Sequence, residues 1–154
     1  MKTFLGLGKV LGGKGTIKIS QAIYDQIVQH AKDSYPDECC GILIGSTMRA
    51  RCVLYIHQTV NTNRERSKDR YIIDPREIYL MDKEAKAQGA EIVGFYHSHP
   101  DHPDKPSATD REWGQAGYSY MIASVNGGKD VSVRSWIFHD ENDPFKEEKI
   151  KLTE

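Results

Sequence analysis

The sequence predicts a mixed α/β fold in a single domain. Segments with the alternating pattern of strands and segments with the 3.6-residue pattern of helices succeed one another along the chain, and no segment repeats. The length of 154 residues corresponds to about one domain at the usual ~100–200 residues per domain. The domain is assigned to residues 16–154. Residues 1–15 hold five of the thirteen glycines and are expected to form a flexible leader.

Caps and breakers delimit the helices in the first half of the chain. Ser20 offers an N-cap to the first helix, and Pro36 lies beyond its end. Asp74 and Pro75 suit the N-cap and first position of the second helix, which Gly89 ends. The strands expected in this half are Thr16–Ile19, Cys39–Ile44, Cys52–Ile56 (antiparallel to the strand before it) and Tyr71–Ile73.

The second half is predicted to hold a short helix and four strands. Residues 100–106 contain three prolines, so they should lack regular structure. The short helix should begin after Ser107, and Asn126–Gly128 has the composition of a hairpin turn. The predicted strands are Ile92–Tyr96, Tyr118–Val125, Val131–Phe138 and a weaker segment, Ile150–Leu152. The expected architecture is a mixed β-sheet flanked by helices.

Charge and composition exclude several classes of protein. Lys and Arg total 21 against 22 for Asp and Glu, which is not the basic surplus of a nucleic-acid-binding protein. No apolar run approaches the ~18 residues of a membrane span, and Lys9 interrupts the apolar stretch that a secretory signal would need. Three cysteines without a C-x-x-C pair do not form a disulfide framework. We therefore expect a cytoplasmic protein with no nucleic-acid or membrane partner.

His97 and His99 are the first candidate metal ligands. Residues i and i+2 of a strand project from the same face, so these two imidazoles should point at one spot where the strand ends before Pro100. Two imidazoles suit zinc, and a catalytic zinc takes three protein ligands and leaves one position for water.

Asp110 is the best candidate for the third ligand. It falls in the first turn of the helix entered through Ser107, so the loop can return it to the strand end. The segment from Ser107 to Asp110 is also a capping box of the S-x-x-D kind, and capping alone would explain both residues.

The joint pattern resembles the zinc-binding signature of the JAMM (MPN-plus) metalloprotease family. The pattern is His-x-His-Pro from His97 to Pro100, followed by Ser-x-x-Asp from Ser107 to Asp110. The family also has a glutamate at the start of a buried strand, and Glu38 occupies the matching place. The resemblance covers roughly residues 17–152 and implies the JAMM/MPN-like fold, which is similar to that of cytidine deaminases.

The resemblance also implies roles for these residues. His97, His99 and Asp110 would hold one Zn²⁺ per chain, and a water would complete the coordination. Glu38 would act as general base and then general acid. Ser107 would donate a hydrogen bond to the tetrahedral oxyanion, or else would only cap the helix and orient Asp110.

Other reactive side chains are interpreted as structural or peripheral. Asp101, His102 and Asp104 are expected to be exposed residues at the rim of the site. A thiol nucleophile at Cys40 paired with His97 is conceivable but would leave the rest of the signature unexplained. Three histidines, His30, His57 and His139, are interpreted as surface or packing residues. Trp113 and Trp136 are interpreted as aromatic residues of the core or of the rim of the site.

The resemblance further implies a class of substrate. Only nine residues separate Asp110 from Tyr120, so one of the family's two insertions is absent, as in the small stand-alone bacterial members. Those members act on ubiquitin-like sulfur-carrier proteins with a C-terminal Gly-Gly tail. The expected function is a zinc-dependent peptidase or isopeptidase acting on such a tail. A metal-binding MPN scaffold and a DNA-repair-associated relative without peptidase activity stay open, as does the oligomeric state.

The polar segment from Asn61 to Arg70 is the candidate for substrate recognition. A Gly-Gly tail offers almost no side chains, so an enzyme must hold its backbone, most simply on a strand edge. We expect this loop to supply such an edge, while its Arg and Lys side chains meet acidic groups of the carrier or its terminal carboxylate.

Overall fold

The structure is a computed structural model that describes residues 15–154, so all of the expected leader except its last residue lies outside the described residues. Within that range the chain forms seven strands and three helices. In chain order they are β1 (Thr16–Ser20), α1 (Gln21–Ser34), β2 (Cys40–Ser46), β3 (Cys52–Thr59), α2 (Pro75–Ala87), β4 (Glu91–Pro100), α3 (Ala108–Trp113), β5 (Ser119–Asn126), β6 (Asp130–Ile137) and β7 (Lys146–Thr153).

The strands form one closed, mixed barrel in the order β1-β3-β2-β4-β5-β6-β7. Strands β4 and β5 are parallel, whereas β4 is antiparallel to β2, so β4 lies inside the sheet with a neighbour on each side. The barrel closes where β1 pairs in parallel with β7 over five residue pairs. The mixed α/β prediction is confirmed. Closure of the sheet was not predicted, because it joins strands from opposite ends of the sequence.

Side chains of the sheet alternate between two hydrophobic cores. Leu43 of β2 belongs to the core that includes Ile27 of α1, whereas its neighbours Ile42 and Ile44 belong to the core that includes Met81 of α2. All three β2 residues are fully buried. A strand with buried side chains on both faces explains the continuous apolar run seen in the sequence.

The predicted helix ends are confirmed. The Ser20 hydroxyl accepts a hydrogen bond from the Ile23 N–H at 3.2 Å. The Asp74 carboxylate accepts one from the Arg76 N–H at 2.9 Å, and Gly89 beyond the second helix has a positive φ of 75°.

The strand predicted for Tyr71–Ile73 is wrong. This segment has no regular structure, and its polar groups bond instead to the start of the preceding loop. The Ile72 N–H donates to the Asn61 side chain, and the Ile72 carbonyl accepts from the Thr62 N–H. The barrel is closed, so its strands leave no free edge with which this apolar segment could pair.

Candidate metal centre

The C-terminal end of β4 carries His97 and His99. His97 lies opposite Cys40 of β2 and Ile122 of β5, so hydrogen-bonded strands hold it from both sides. The His97 side chain is 1% exposed and that of His99 is 9% exposed. Both imidazoles are therefore anchored by the sheet and emerge only where the strand ends at Pro100.

Helix α3 brings Asp110 to the two histidines. Ser107 and Asp110 form a reciprocal capping box, in which each side chain accepts a hydrogen bond from the other residue's N–H. The Asp110 carboxylate lies 3.2 Å from His97 Nε2 through Oδ1 and 3.1 Å from His99 Nε2 through Oδ2. The capping interpretation and the ligand interpretation of Asp110 are thus compatible, because one carboxylate does both.

The ligand-type atoms converge in the way a metal site requires. His99 Nδ1 donates to the Pro103 carbonyl at 2.7 Å, which leaves the lone pair of Nε2 facing His97 Nε2 at 3.1 Å. Tetrahedral zinc with Zn–N distances of ~2.0–2.1 Å places its ligand atoms about 3.3 Å apart. Within residues 15–154, His97, His99 and Asp110 are the one group of three or more such residues able to hold a metal ion, with ligand atoms within 4.8 Å of one another.

Tyr71 supports the centre although the sequence pattern did not identify it. Its ring stacks on the His97 imidazole with the centroids 4.4 Å apart and an angle of 21° between the planes. His97 Nδ1 is buried and has no hydrogen-bond partner within the described part of the chain, so the ring is held by packing. No spacing rule links Tyr71 to the His-x-His motif, because the contact forms across the cleft from a segment without regular structure.

The surroundings of the cluster shift the pKa values of its three members in different ways, lowering those of His97 and Asp110 and raising that of His99. Burial lowers the pKa of His97, with the Asp110 charge opposing that shift. Burial acts against ionisation of Asp110, yet electrostatic attraction to His97, together with hydrogen bonds from both histidines and from the Ser107 N–H, holds its pKa well below the usual range. For His99, burial is outweighed by hydrogen bonds to Asp110 and Pro103, which raise the pKa. A neutral imidazole and a carboxylate are the forms that bind divalent metals.

Glu38 lies in the same cleft as the cluster. With Asp110, Tyr71 and Trp113 it lines a narrow compartment, called here the catalytic compartment. The residue is only 6% exposed, and burial, with a smaller contribution from the Asp110 charge, raises the pKa of its carboxyl to about 8. A carboxyl with such a pKa can both accept and return a proton near neutral pH.

The segment from Asn61 to Arg70 folds against the Glu38 backbone. The Glu38 N–H donates to the Ser67 carbonyl at 2.6 Å, and Asn61 Nδ2 donates to the Glu38 carbonyl at 3.1 Å. The same Asn61 amide also bonds to the carbonyl of Arg70 at 2.9 Å. The loop therefore positions Glu38, a role that its polar composition alone did not indicate.

Ser107 lies at the edge of this cleft, at the N-cap of α3. Its hydroxyl accepts from the Asp110 N–H at 3.0 Å, and it lines a neighbouring compartment together with Glu38 and His99. The hydroxyl hydrogen is not used by the cap, because the oxygen is the acceptor in that bond. Capping and donation to a substrate oxygen are thus not mutually exclusive.

Asp104 is not the exposed rim residue that was expected. It is buried, and its carboxylate accepts hydrogen bonds from Ser132 and Arg134 at 2.8 Å each. Its backbone carbonyl accepts from Trp136 Nε1 at 2.9 Å. Asp104 therefore ties the proline-rich loop to β6, whereas Asp101 and His102 are exposed as predicted.

The remaining histidines and cysteines lie outside the cluster. His30 bonds to the buried Tyr96 hydroxyl at 2.7 Å, and His57 pairs with Glu77 at 3.0 Å. Burial raises the pKa of Cys40 to about 11, and its sulfur accepts from Thr59 at 3.3 Å. A thiol with that pKa is a poor nucleophile at neutral pH, so the Cys40 alternative loses support.

The barrel and its cluster define a single-domain protein of the JAB/MPN type. Residues 20–139 match the family described as prokaryotic homologs of the JAB domain (Prok-JAB). The chain belongs to this family, as the sequence resemblance predicted.

Three comparisons are informative. The chain is 39% identical over 110 residues to the desampylase of Haloferax volcanii. This alignment covers 67% of this chain and 76% of the relative. It is 33% identical over 100 residues to the CysO-cysteine peptidase of Mycobacterium tuberculosis. That alignment covers 63% of this chain and 66% of the relative. A solution structure of a protein from Desulfitobacterium hafniense has a TM-score of 0.78 at 28% identity and covers 90% of this chain and 93% of that one.

None of the helices between residues 15 and 154 is long and apolar enough to cross a membrane.

Proposed function

We propose that this protein is a zinc-dependent peptidase or isopeptidase that hydrolyses an amide bond at the C-terminal tail of a ubiquitin-like or sulfur-carrier protein. The observation that carries the proposal is that one cleft contains both a group of candidate metal ligands and a buried carboxyl group suited to proton transfer. His97, His99 and Asp110 offer three converging ligand atoms, and the buried Glu38 carboxyl lines the same compartment as Asp110. The names of the relatives, desampylase and CysO-cysteine peptidase, support this substrate class.

The cluster would hold one Zn²⁺ through His97 Nε2, His99 Nε2 and the Asp110 carboxylate. When bound, zinc acts as a Lewis acid and lowers the pKa of a water ligand to about 7. Pro103 keeps His99 in the tautomer whose Nε2 is free to bind, and Tyr71 holds the His97 ring by stacking.

Glu38 would move the proton in the reaction. Its carboxylate accepts a proton from the attacking water, and the resulting carboxylic acid gives that proton to the amine that leaves. Burial suits Glu38 to this role, because it raises the pKa of the carboxyl and so makes its carboxylate a stronger base toward the water proton. The Ser107 hydroxyl would donate to the oxygen of the tetrahedral intermediate.

The acyl side of the substrate would lie beside Tyr71. An apolar groove continues from the catalytic compartment and shares Tyr71 and Trp113 with it. Tyr71, Ile72 and Ile73 form one wall of this groove. The N–H and carbonyl groups of Ile72 already have hydrogen-bond partners, Asn61 and Thr62, so Ile72 does not offer its backbone to the substrate. A Gly-Gly tail could therefore run along this wall and bond to the backbone of Tyr71 and Ile73.

The test is incubation of the purified protein with carrier proteins extended beyond Gly-Gly, followed by mass spectrometry of the intact products. We expect release of the extension and a mature Gly-Gly terminus, with no release after treatment with a chelator and recovery on adding Zn²⁺. A protein that binds zinc and yet cleaves no carrier substrate would instead be a metal-binding scaffold.

We assign the protein to the cytoplasm. Its three cysteines are free, and two of them, Cys39 and Cys40, are buried in the sheet. Unpaired thiols are typical of proteins kept in a reducing compartment.

A further inference from the structure

The cleft continues beyond the catalytic compartment into a second space with a different chemical character. This space, called here the cationic compartment, shares Glu38, Asp69 and Arg70 with the catalytic compartment. His99 and Ser107 also line it, so it begins at the proposed metal ligands. The basic side chains around it are Arg66, Arg70, His102 and Lys105.

The cations of this compartment exceed its anions. Arg66 and Arg70 share a single carboxylate, Asp69, which Arg66 contacts through two nitrogens. Arg70 Nη1 bonds at 2.8 Å to the Asp69 carbonyl and lies 3.9 Å from its carboxylate. Lys105 forms no ion pair with any carboxylate of residues 15–154. Glu38 also lines this compartment, so three cationic side chains (Arg66, Arg70 and Lys105) face two carboxyl groups (Glu38 and Asp69). One positive charge is therefore left for a ligand even when Glu38 is ionised, and Lys105 is the cation that pairs with neither carboxylate.

One end of the cleft is apolar and the other is positively charged, and the two sides of the scissile bond in an extended carrier differ in charge in a corresponding way. The apolar groove beside Tyr71 contains no charged side chain among its lining residues, whereas the cationic compartment lies beside His99 and Ser107. In a C-terminally extended carrier, the Gly-Gly side of the scissile bond is uncharged. The other side ends in an α-carboxylate that lies close to the bond when the extension is short.

We propose that the cationic compartment binds the α-carboxylate of a leaving group that is a single amino acid or a short peptide. This inference rests on the proposed function and specifies its substrate: a linear peptide extension rather than a lysine side-chain conjugate, which has no carboxylate at the corresponding place. In the reaction, the hydroxyl of water adds to the Gly carbonyl carbon and the C–N bond breaks. The amine leaves with the proton carried by Glu38, and its carboxylate stays ionised throughout.

The experiment compares two substrates that differ only in this charge. One is a carrier extended by two alanines with a free carboxylate, and the other is the same protein made by ligation with a C-terminal amide. We expect kcat/KM for the amide to be lower by about tenfold or more, because a hydrogen-bonded charge is lost. Raising the salt concentration should reduce kcat/KM for the carboxylate substrate and leave the amide substrate nearly unchanged.

Lys105→Gln tests the site from the protein side. Lys105 is exposed and makes no ion pair within the described chain, so its replacement should not disturb the fold. We expect this variant to lose about three- to tenfold in kcat/KM with the carboxylate substrate and to match wild type with the amide. The matched control is Lys151→Gln. Lys151 is an exposed lysine on β7 that lines neither the catalytic compartment, nor the cationic compartment, nor the apolar groove. It should behave as wild type with both substrates.

A binding measurement removes turnover from the comparison. Titration of labelled Gly-Gly-Ala-Ala peptides into the Glu38→Gln variant should give a lower Kd for the free acid than for the amide. Equal Kd values, together with equal kcat/KM values for the two carrier substrates, would overturn the inference while leaving the proposed function intact. A Lys105→Gln defect of equal size with both substrates would assign the cations to acidic groups on the carrier body. If the zinc-loaded wild type cleaved neither linear carrier but did cleave a lysine-linked carrier conjugate, the inference would be overturned and the proposed function would stand. Cleavage of none of the three would contradict the proposed function.

Discussion

Glu38 and Asp110 are two carboxyl groups in one compartment whose surroundings shift their pKa values in opposite directions. Burial raises the pKa of Glu38 to about 8, whereas the adjacent imidazoles hold that of Asp110 well below its usual range. Because their pKa values differ in this way, Glu38 is suited to carry a proton, whereas Asp110 is suited to remain an anion. At the scale of single residues, the chemistry thus follows from neighbours within a few ångströms.

The first prediction at this scale separates catalysis from metal binding. Glu38→Gln should retain zinc and lose turnover by about 10²–10⁴-fold, because it removes a general acid–base group and no ligand. Metal analysis and steady-state kinetics on the same preparation measure both quantities. Near-native turnover in this variant would remove Glu38 from the mechanism.

The second prediction concerns metal content. The wild-type protein should hold about one equivalent of zinc per chain, since a single group of ligand atoms converges within residues 15–154. His97→Ala and Asp110→Ala should each lose most of it after dialysis, because two ligands remain. Zinc bound at full occupancy by the His97→Ala/His99→Ala double variant would show that the metal lies elsewhere.

At the scale of elements, short helix α3 depends on Ser107 for its start and supplies Asp110. Ser20 plays the same capping part at the start of α1, well away from the cleft. The two serines therefore form a matched pair for separating stability from catalysis.

The third prediction uses that pair. Ser107→Ala and Ser20→Ala should each reduce the free energy of unfolding by about 1 kcal/mol, the usual contribution of an N-cap. Only Ser107→Ala should reduce kcat, by about 10²–10³-fold if the hydroxyl donates to the oxyanion. Denaturant unfolding and kcat are the measurements. Equal stability losses with unchanged kcat in Ser107→Ala would limit this residue to capping.

The fourth prediction concerns the loop from Asn61 to Arg70. If the loop binds the carrier, shortening it should raise KM for a carrier more than for a short peptide, but shortening would also remove the Ser67 carbonyl that holds the Glu38 N–H. A single substitution is sharper. Asn61→Ala removes the bonds to Glu38 and Ile72 and should lower kcat/KM for both substrates by about tenfold.

The control for this loop variant is Asn63→Ala. The Asn63 side chain accepts a hydrogen bond from the Arg66 N–H, and within the described residues it makes no hydrogen bond to Glu38. It should keep near-native kcat/KM with both substrates. A loss confined to the carrier substrate in Asn61→Ala would mean that the loop acts by contacting the carrier and not by placing Glu38.

At the scale of the whole molecule, the metal centre joins elements that are distant in sequence. The ligands come from β4 and α3, and the ring stacked on His97 comes from the segment before α2. Binding of an ion at this junction should therefore stabilise the folded barrel as a unit, because the unfolded chain does not bring these groups together.

The fifth prediction follows from that linkage. Free zinc at about 100 times its Kd should raise the unfolding midpoint by about 5–10 °C relative to the chelated protein. The His97→Ala/His99→Ala variant should show no such increase, and differential scanning fluorimetry measures both. An equal increase in the double variant would indicate zinc bound outside the proposed centre.

The sequence by itself predicted what depends on local spacing. His97 and His99 share a face because strand side chains alternate. Ser107 and Asp110 form a capping box because the first N–H groups of a helix have no partners within the helix, and these two side chains can accept from them. Helix ends at Ser20 and Gly89 were predictable for the same reason. Glu38 was identified through the family resemblance and not through any local rule.

Only the tertiary structure decided which distant groups meet. The stacking of Tyr71 on His97, the burial of Asp104 against β6, and the convergence of Lys105 with Arg70 on one cleft join residues through the closed barrel. Such contacts arise from packing between elements, and the residues that meet in this way are not separated by any characteristic number of positions in the sequence. Local hydrogen bonds and periodicity therefore specified the ligands, whereas closure of the sheet placed the groups that orient them and line the cleft around them.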